Sequence, residues 1–281
     1  MSKKKIAIVG HGFVGRATDE VFNKNIEKKI IDPKYGNSIS DLVEFDPQFI
    51  IICVPTPMGK SGQDSKILNS VILDIAKFKL KGTIVVKSTV LPNYLNKIND
   101  ISGEIVYNPE FLREKHAVKD FINSKSIILG GEISQCKKVA DLYVNNSLCK
   151  TNNFIYTSIS EASLIKYTIN SYLATKVIFF NQINDLYESM GVDGSDWNNF
   201  IKMLSFENRI GSSHMSVPGH DGRKGYGGAC FPKDVSALIK FAENQNVELS
   251  LLHEIHKINN KIRSKYKNNN QREKDQNTFF D

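Results

Sequence analysis

Cys230 stands in the run Gly225-Tyr226-Gly227-Gly228-Ala229-Cys230-Phe231-Pro232-Lys233-Asp234. Most lone cysteines are buried small hydrophobes, but the surroundings of this one favour a thiolate. Glycines expose backbone N–H groups and let a ligand come close. Pro232 suits the first turn of a helix, which sets Cys230 just before a helix N-terminus. That terminus and the neighbouring Lys233 both favour thiolate over thiol. On spacing alone, a nucleophile and an inert buried thiol stand level. Lys166 and Asn170 are four residues apart and share a helix face. Such a pair can hold a developing oxyanion. Without further context a solvated helix face explains it better.

Gly10-His11-Gly12-Phe13-Val14-Gly15 is a G-x-G-x-x-G that follows an apolar run and opens a helical pattern, the context a dinucleotide fingerprint needs. Gly10 permits the tight turn, Gly12 lets backbone approach a pyrophosphate, and Gly15 lets the helix pack on the strand. Asp32 ends the second apolar run, where a carboxylate meets the adenosine ribose. A carboxylate accepts from a 2′-OH and repels a 2′-phosphate, which favours NAD over NADP.

The elements that must position these groups follow from apolar patterning. Buried runs at 6–9, 30–31, 49–54, 83–86, 105–107 and 126–129 read as strands. Helical spacing lies between several of them. The clearest set is Ile67, Val71, Ile72 and Ile75, with Asp64 as N-cap. Strands alternating with helices imply right-handed crossovers and a doubly wound parallel sheet, an α/β Rossmann class. From Ser158 to about Met190 one helical pattern runs without Pro or Gly, and Ser158 with Glu161 makes a capping box. Shorter helical patterns follow at 193–204, 233–244 and 249–266, with a glycine-rich loop at 219–228 before the second of them. The expected division is a nucleotide-binding domain over 1–150, an all-α domain with one long helix over 151–265, and a polar tail over 266–281 read as disordered.

The chain has 281 residues, 41% of them hydrophobic and 24% charged, with a net charge of +7. That length suggests about two domains, and the composition is that of a globular protein. No apolar run is long enough to cross a bilayer, and the N-terminus lacks a signal-peptide pattern. The positive charge suits anionic partners such as nucleotides. It is scattered, with no basic run interleaved with aromatics, so nucleic acid is not the expected partner. Cys53, Cys136, Cys149 and Cys230 match no zinc spacing and no disulfide framework, and Cys53 reads as inert core. His253 and His256 form no metal motif, so no metal is implied. A reduced cytoplasmic protein is the expectation.

Taken together, the motifs resemble the UDP-glucose/GDP-mannose dehydrogenase family from residue 6 to about 245. Cys53-Val54-Pro55-Thr56-Pro57 is similar to the family's V-x-T-P, and Ser88-Thr89-Val90 to its S-T-V. Asn108-Pro109-Glu110-Phe111-Leu112-Arg113-Glu114 is similar to its N-P-E-F-L-x-E. Lys166-Tyr167-x-x-Asn170-x-x-Leu173-Ala174 resembles its catalytic helix. Gly227-Gly228-x-Cys230-Phe231-Pro232-Lys233-Asp234 resembles its most distinctive signature.

The resemblance implies a four-electron oxidation of a nucleotide sugar, UDP-glucose, from C6 hydroxyl to carboxylate with two NAD+ reduced. The thiolate of Cys230 would attack the intermediate aldehyde to form a thiohemiacetal. A second oxidation gives a thioester, which water hydrolyses. Lys166 and Asn170 would hold the C6 oxygen, and Glu110 would be the general base. Thr89 and Asp234 would hold the water and orient Lys166. The NAD site implied comprises Gly10, Gly12, Phe13, Val14, Gly15, Asp32, Lys34, Pro55, Thr56, Thr89, Glu114 and Lys233. The substrate site implied comprises Phe111, Leu112, Arg113, Lys166, Asn170, Arg209, Tyr226 and Gly227, within a loop over 221–227. The residue matching Arg209 serves a neighbouring subunit in the family, which implies a homodimer through the long helix.

The chain departs from the family pattern at Asn93, Lys115, Ser124 and Ser126, positions that concern loop shape. It also stops before the second Rossmann-like domain that covers the nucleotide base in family members. Two other readings compete. A β-hydroxyacid-type dehydrogenase would make one NADH per substrate, and a truncated NAD-binding regulatory protein would make none.

Overall fold

The computed structural model describes residues 3–59, 62–191, 196–266 and 271–276. Its strands are β1 (Lys4–Val9), β2 (Ile26–Ile31), β3 (Phe49–Ile52), β4 (Met58–Gly59), β5 (Gly62–Gln63), β6 (Thr83–Val86), β7 (Ile105–Tyr107), β8 (Ile127–Gly130) and β9 (Phe154–Thr157). Its helices are α1 (Phe13–Val21), α2 (Leu42–Phe45), α3 (Lys66–Lys77), α4 (Pro92–Ser102), α5 (Ala117–Ile122), α6 (Ile133–Asn146), α7 (Ile159–Ser189), α8 (Trp197–Leu204), α9 (Phe231–Asn244), α10 (Ser250–Arg263) and α11 (Gln271–Asp275). The chain divides into two compact units. One holds residues 1–56 and 63–166, the other 57–62 and 167–281.

The first unit is a seven-stranded sheet in the order β2-β1-β3-β6-β7-β8-β9. Its pairings are parallel except β7 with β8. This is the expected doubly wound α/β architecture, with strands that carry apolar side chains on both faces because helices cover both. One face packs Ala7, Ile50, Ile52 and Val86 against Leu68, Ile72 and Ile98. The other packs Ile6, Ile8, Ile51 and Val85 against Ala17, Phe22 and Tyr143. Strand order reverses between β1 and β3, and ligands of such sheets bind beyond the carboxyl ends of the strands there.

The structure differs from the sequence expectation at several elements. On α3 the buried stripe is Leu68, Ile72 and Ile75, whereas Ile67 is exposed. Positions four and seven apart share a face, so Leu68 and not Ile67 belongs with Ile72 and Ile75. The N-cap is Ser65, and Asp64 instead accepts from the N–H of Lys66 at 2.9 Å. Strand β9 was not expected. It lies past residue 150 at the sheet edge, with half of its side chains facing out. That mixture hides a short strand from a search for continuous apolar runs.

In the second unit, α9 and α10 pack Val235, Ile239 and Ile255 with Ala174 and Ile178 of α7 and with Tyr226. A second cluster joins Phe180, Trp197 and Met215. Helix α7 is 31 residues long, and Ser158 and Glu161 form the expected capping box at its start. Helix α8 begins at Trp197 with Asp196 as N-cap, and 193–195 of the expected helix lie outside the described residues. In the tail, expected to be disordered, 271–276 carry α11. Residues 267–270 and 277–281 lie outside the described residues. No helix among the described residues is long and apolar enough to cross a membrane.

Candidate active site

In the first unit the fingerprint turn leaves β1 at Gly10, whose φ is +87°. A Cβ there would stand 2.9 Å from the backbone of Cys53 beyond β3, so glycine lets the two strand ends approach. At Gly15 a Cβ would drive into the carbonyl oxygen of Gly10. Gly12 has open space around it, caps α1 and offers no capping side chain. The first-turn N–H groups of α1 therefore face an open approach, with the helix dipole behind them.

Asp32 closes this turn. Its carboxylate accepts from the N–H of His11 at 2.6 Å and from the N–H of Lys34 at 3.1 Å. Partial burial opposes ionisation, but these two donors and the Lys34 cation outweigh it and hold the carboxyl below its usual range. Lys34 donates to the carbonyl of His11 at 2.8 Å. The structure thus joins Gly10, Gly12, Phe13, Val14, Gly15, Asp32 and Lys34 into one cradle. Its glycines, helix terminus and fixed acid fit a dinucleotide.

The V-x-T-P and S-T-V segments are tied together. Thr56 donates to the carbonyl of Thr89 at 2.7 Å, and Gln63 to the same oxygen at 2.8 Å. Ser88 donates to the carbonyl of Val54 at 2.7 Å. Thr89 and Thr56 are thereby set beyond the ends of β6 and β3. Pro55 is exposed beside them, and Glu114 opens a short 3-10 turn.

Glu110 and Lys166 meet in the same unit. Lys166 donates to the backbone carbonyl of Glu110 and lies 3.4 Å from its Oε1, with both side chains under one-tenth exposed. The N–H of Leu112 donates to Glu110 Oε2 at 2.7 Å. The ammonium of Lys166 also lies 5.0 Å from the ring centre of Phe111, a cation–π contact. Arg113 forks onto Asp120 at 2.7 and 2.9 Å, and that bond holds the Asp120 carboxyl below its usual range.

Sequence reasoning missed Lys87. It is 2% exposed and donates to Asn108 Oδ1 at 2.9 Å and to the Tyr143 hydroxyl at 3.2 Å. Its ammonium lies 4.7 Å from the ring centre of Phe121. Burial lowers its pKa. These groups line a cavity of about 30 Å³ together with Glu110, Ser124 and Ser126. A space of that size suits about one water. The signal available was a lysine directly after the apolar strand run 83–86. Its partner Tyr143 is 56 residues further on, beyond any local pattern.

In the second unit Cys230 is the N-cap of α9, with Pro232 in the first turn. It forms no disulfide and is half-buried. One turn on, Asp234 is fully buried. It accepts from Asn170 Nδ2 at 2.6 Å and from Lys233 Nζ at 2.5 Å. Of the catalytic residues expected here, the structure brings Asn170 and Asp234 together, and it engages Lys233 with Asp234.

Tyr226 is a core side chain, 2% exposed, and burial pushes its hydroxyl pKa up. Its N–H donates to Asn259 Oδ1 at 2.7 Å. At Gly227 a Cβ would meet Arg263 and Glu273. Arg209 is exposed and forks onto Glu207 at 2.8 and 2.9 Å.

Residues 36–146 match the model for the UDP-glucose/GDP-mannose dehydrogenase family, NAD binding domain, and residues 160–261 match that family's central domain. A UDP-glucose 6-dehydrogenase of Campylobacter jejuni is 30% identical over 298 residues, which cover 93% of this chain and 73% of that protein. One of Rickettsia felis is 32% identical over 249 residues, covering 86% of this chain and 53% of that protein. The chain thus spans between about half and three quarters of the length of these curated relatives. A UDP-glucose dehydrogenase structure from Pyrobaculum islandicum superposes with a TM-score of 0.76 at 22% identity, over 92% of this chain and 68% of that one, a likeness of fold.

Proposed function

The chain belongs to the UDP-glucose/GDP-mannose dehydrogenase family and carries its NAD-binding domain, and from that premise we propose that it oxidises a nucleotide sugar, UDP-glucose, to the uronate in two steps. The observation that carries this reading is Cys230 at the N-terminus of α9, one turn before the buried Asp234–Asn170 pair. A two-electron dehydrogenase has no use for a nucleophile placed so. Bound NAD supplies the hydride acceptor for both oxidations.

The turn from Gly10 to Gly15 holds the pyrophosphate, and Asp32 with Lys34 holds the adenosine ribose. Pro55, Thr56, Thr89, Glu114 and Lys233 complete the cofactor contacts. Cys230 adds to the C6 aldehyde, its S–C bond forming as the carbonyl oxygen takes up a proton. Lys166 and Asn170 carry the oxyanion character of that oxygen. Once the adduct is oxidised to a thioester, Glu110 takes a proton from water, which displaces the Cys230 sulfur and leaves the carboxylate. Thr89 and Asp234 position that water and Lys166.

Phe111, Leu112, Arg113, Arg209, Tyr226 and Gly227 are assigned to substrate contact, Tyr226 through its backbone. Tyr172, Phe179 and Leu186 are exposed at seven-residue spacing along α7. They support a homodimer through that helix, with Arg209 serving the second copy.

Purified protein given UDP-glucose and excess NAD+ should make two NADH per sugar and release UDP-glucuronate. Cys230→Ala should abolish acid formation. One NADH per sugar, or full acid formation by Cys230→Ala, overturns the thioester reading. The same NADH assay across UDP- and GDP-sugars fixes the substrate.

A further inference from the structure

We propose that Arg263 and the N–H of Gly228 form an oxyanion pocket on the glycine loop, and that the chain's own Glu273 closes it, making α11 a strap that a phosphate-bearing ligand displaces. Arg263 is almost fully buried, and its guanidinium reaches in two directions. One arm donates to Asp221 Oδ2 at 2.8 Å, and the other to Glu273 Oε1 at 2.5 Å. The same Oε1 accepts from the N–H of Gly228 at 3.2 Å. Glu273 itself is fully buried.

The loop is shaped around that carboxylate. A Cβ at Gly227 would strike Arg263 and Glu273, and one at Gly225 would stand 2.7 Å from Asn259 Oδ1 and 3.2 Å from Arg263. Gly225 and Gly228 take φ of +78° and +80°. The loop lies directly on α10, and an oxyanion is admitted where side chains would otherwise stand. One arginine arm with a backbone N–H is a donor pair that takes a carboxylate or phosphate oxygen.

The occupant comes on a weak element. Helix α11 is five residues long with the polar sequence QREKD. A helix that short does not hold itself. The carbonyl of Gln276 also accepts from the N–H of Met58 at 3.3 Å. A short polar segment opens locally more readily than the core it lies on. An oxyanion entering the loop competes there with the Glu273 carboxylate. The pocket sits two residues before Cys230. The pocket and strap stand on these contacts alone, and the identity of the displacing ligand rests on the nucleotide-sugar reading.

Lys274 is exposed on α11, so lysyl endopeptidase cleavage after it, read by mass spectrometry on the full chain, reports strap opening. UDP-glucose should speed that cleavage by about tenfold, and inorganic phosphate should do so only at far higher concentration. Glu273→Gln should speed it by about tenfold without ligand and remove the effect of both anions. Cleavage of Glu273→Gln at the wild-type rate overturns the strap. A wild-type rate that neither anion changes overturns the pocket. Opening by phosphate but not by UDP-glucose keeps the pocket and sinks the nucleotide-sugar reading.

Discussion

Replacing Lys233 by Met tests the buried charge pair of α9, and the size of the effect follows from its geometry. Asp234 has no exposed surface, and Lys233 is under one-tenth exposed. The carboxylate has the ammonium at 2.5 Å on one oxygen and the Asn170 amide at 2.6 Å on the other. Methionine keeps most of the lysine stem but leaves the carboxylate buried with one neutral donor. Breaking a buried pair from one side costs about 3–5 kcal/mol. Adding Asp234→Asn removes the stranded charge and leaves an amide pair, whose deficit is about 1–2 kcal/mol. The double variant should therefore be more stable than the single one by about 2 kcal/mol. The assay is urea unfolding followed by fluorescence. Trp197 is the one tryptophan of the sequence and packs with Phe180 and Met215 in the same unit as the pair. With a urea slope of about 2 kcal/mol/M, Lys233→Met should lower the midpoint by about 2 M. A loss below about 1 kcal/mol, or a double variant worse than the single, refutes the reasoning.

Three further outcomes follow from the first unit. Gly15→Ala should lower thermal stability by at least about 1–3 kcal/mol, because its Cβ meets the Gly10 carbonyl; calorimetry that shows no change contradicts the turn geometry. Asp32→Asn should improve the use of NADP relative to NAD. Because its native pKa is lowered, the stability Asp32 contributes is present at neutral pH and lost as pH falls through that lowered value, so the variant's deficit should vanish in acid; a deficit that persists there is the wrong sign. Burial pushes the Cys53 thiol up to about 11 from 9.0, so at pH 8 iodoacetamide should spare Cys53 until the protein unfolds, and the stability from its protonated thiol should fade between pH 9 and 11; prompt labelling of native Cys53 refutes this.

Much of this arrangement was legible where the signal is local. The fingerprint turn, the capping box at Ser158 and Glu161, and the cysteine before a proline-led helix each occupy a few consecutive residues. Their backbone geometry follows from residue type at fixed spacing. The partners were not legible. Asn170 and Asp234 are 64 residues apart, and Lys166 and Glu110 are 56 apart. No periodicity links these pairs, and only the motif resemblance set Glu110 and Asp234 beside Lys166 and Asn170. Lys87 went unread because a lysine after a strand is ordinarily solvated. Only Asn108, Tyr143 and Phe121, brought in by separate elements, make its burial tolerable. The family resemblance implied Tyr226 as a substrate contact, yet its ring fills the core of the second unit. Helix α11 was hidden for the opposite reason. Its sequence is polar throughout, and one buried glutamate that meets an arginine accounts for its place.

The charged groups sort by how tightly they are held, and that sorting bears on which do chemistry and which recognise. Asp234 has donors on both carboxylate oxygens and no exposure, so its rotamer is fixed before any ligand arrives. Glu110 is likewise buried, with a backbone N–H on one oxygen and Lys166 on the other. Groups held this way need no reorganisation when charge develops beside them. Arg113 and Arg209 are the reverse. Each forks onto a near neighbour in sequence, Asp120 or Glu207, while the guanidinium stays mostly exposed. Surface pairs of that kind hold little free energy, so either arginine can turn to an anionic ligand at small cost. Arg263 belongs with neither set. It is buried like Asp234, but one of its two carboxylates is carried by a five-residue helix that can leave. A fixed cation with a removable anion is how a protein builds a site that is closed at rest and opens to a competitor. That places Arg263, more than the exposed arginines, where ligand binding and chain conformation are coupled.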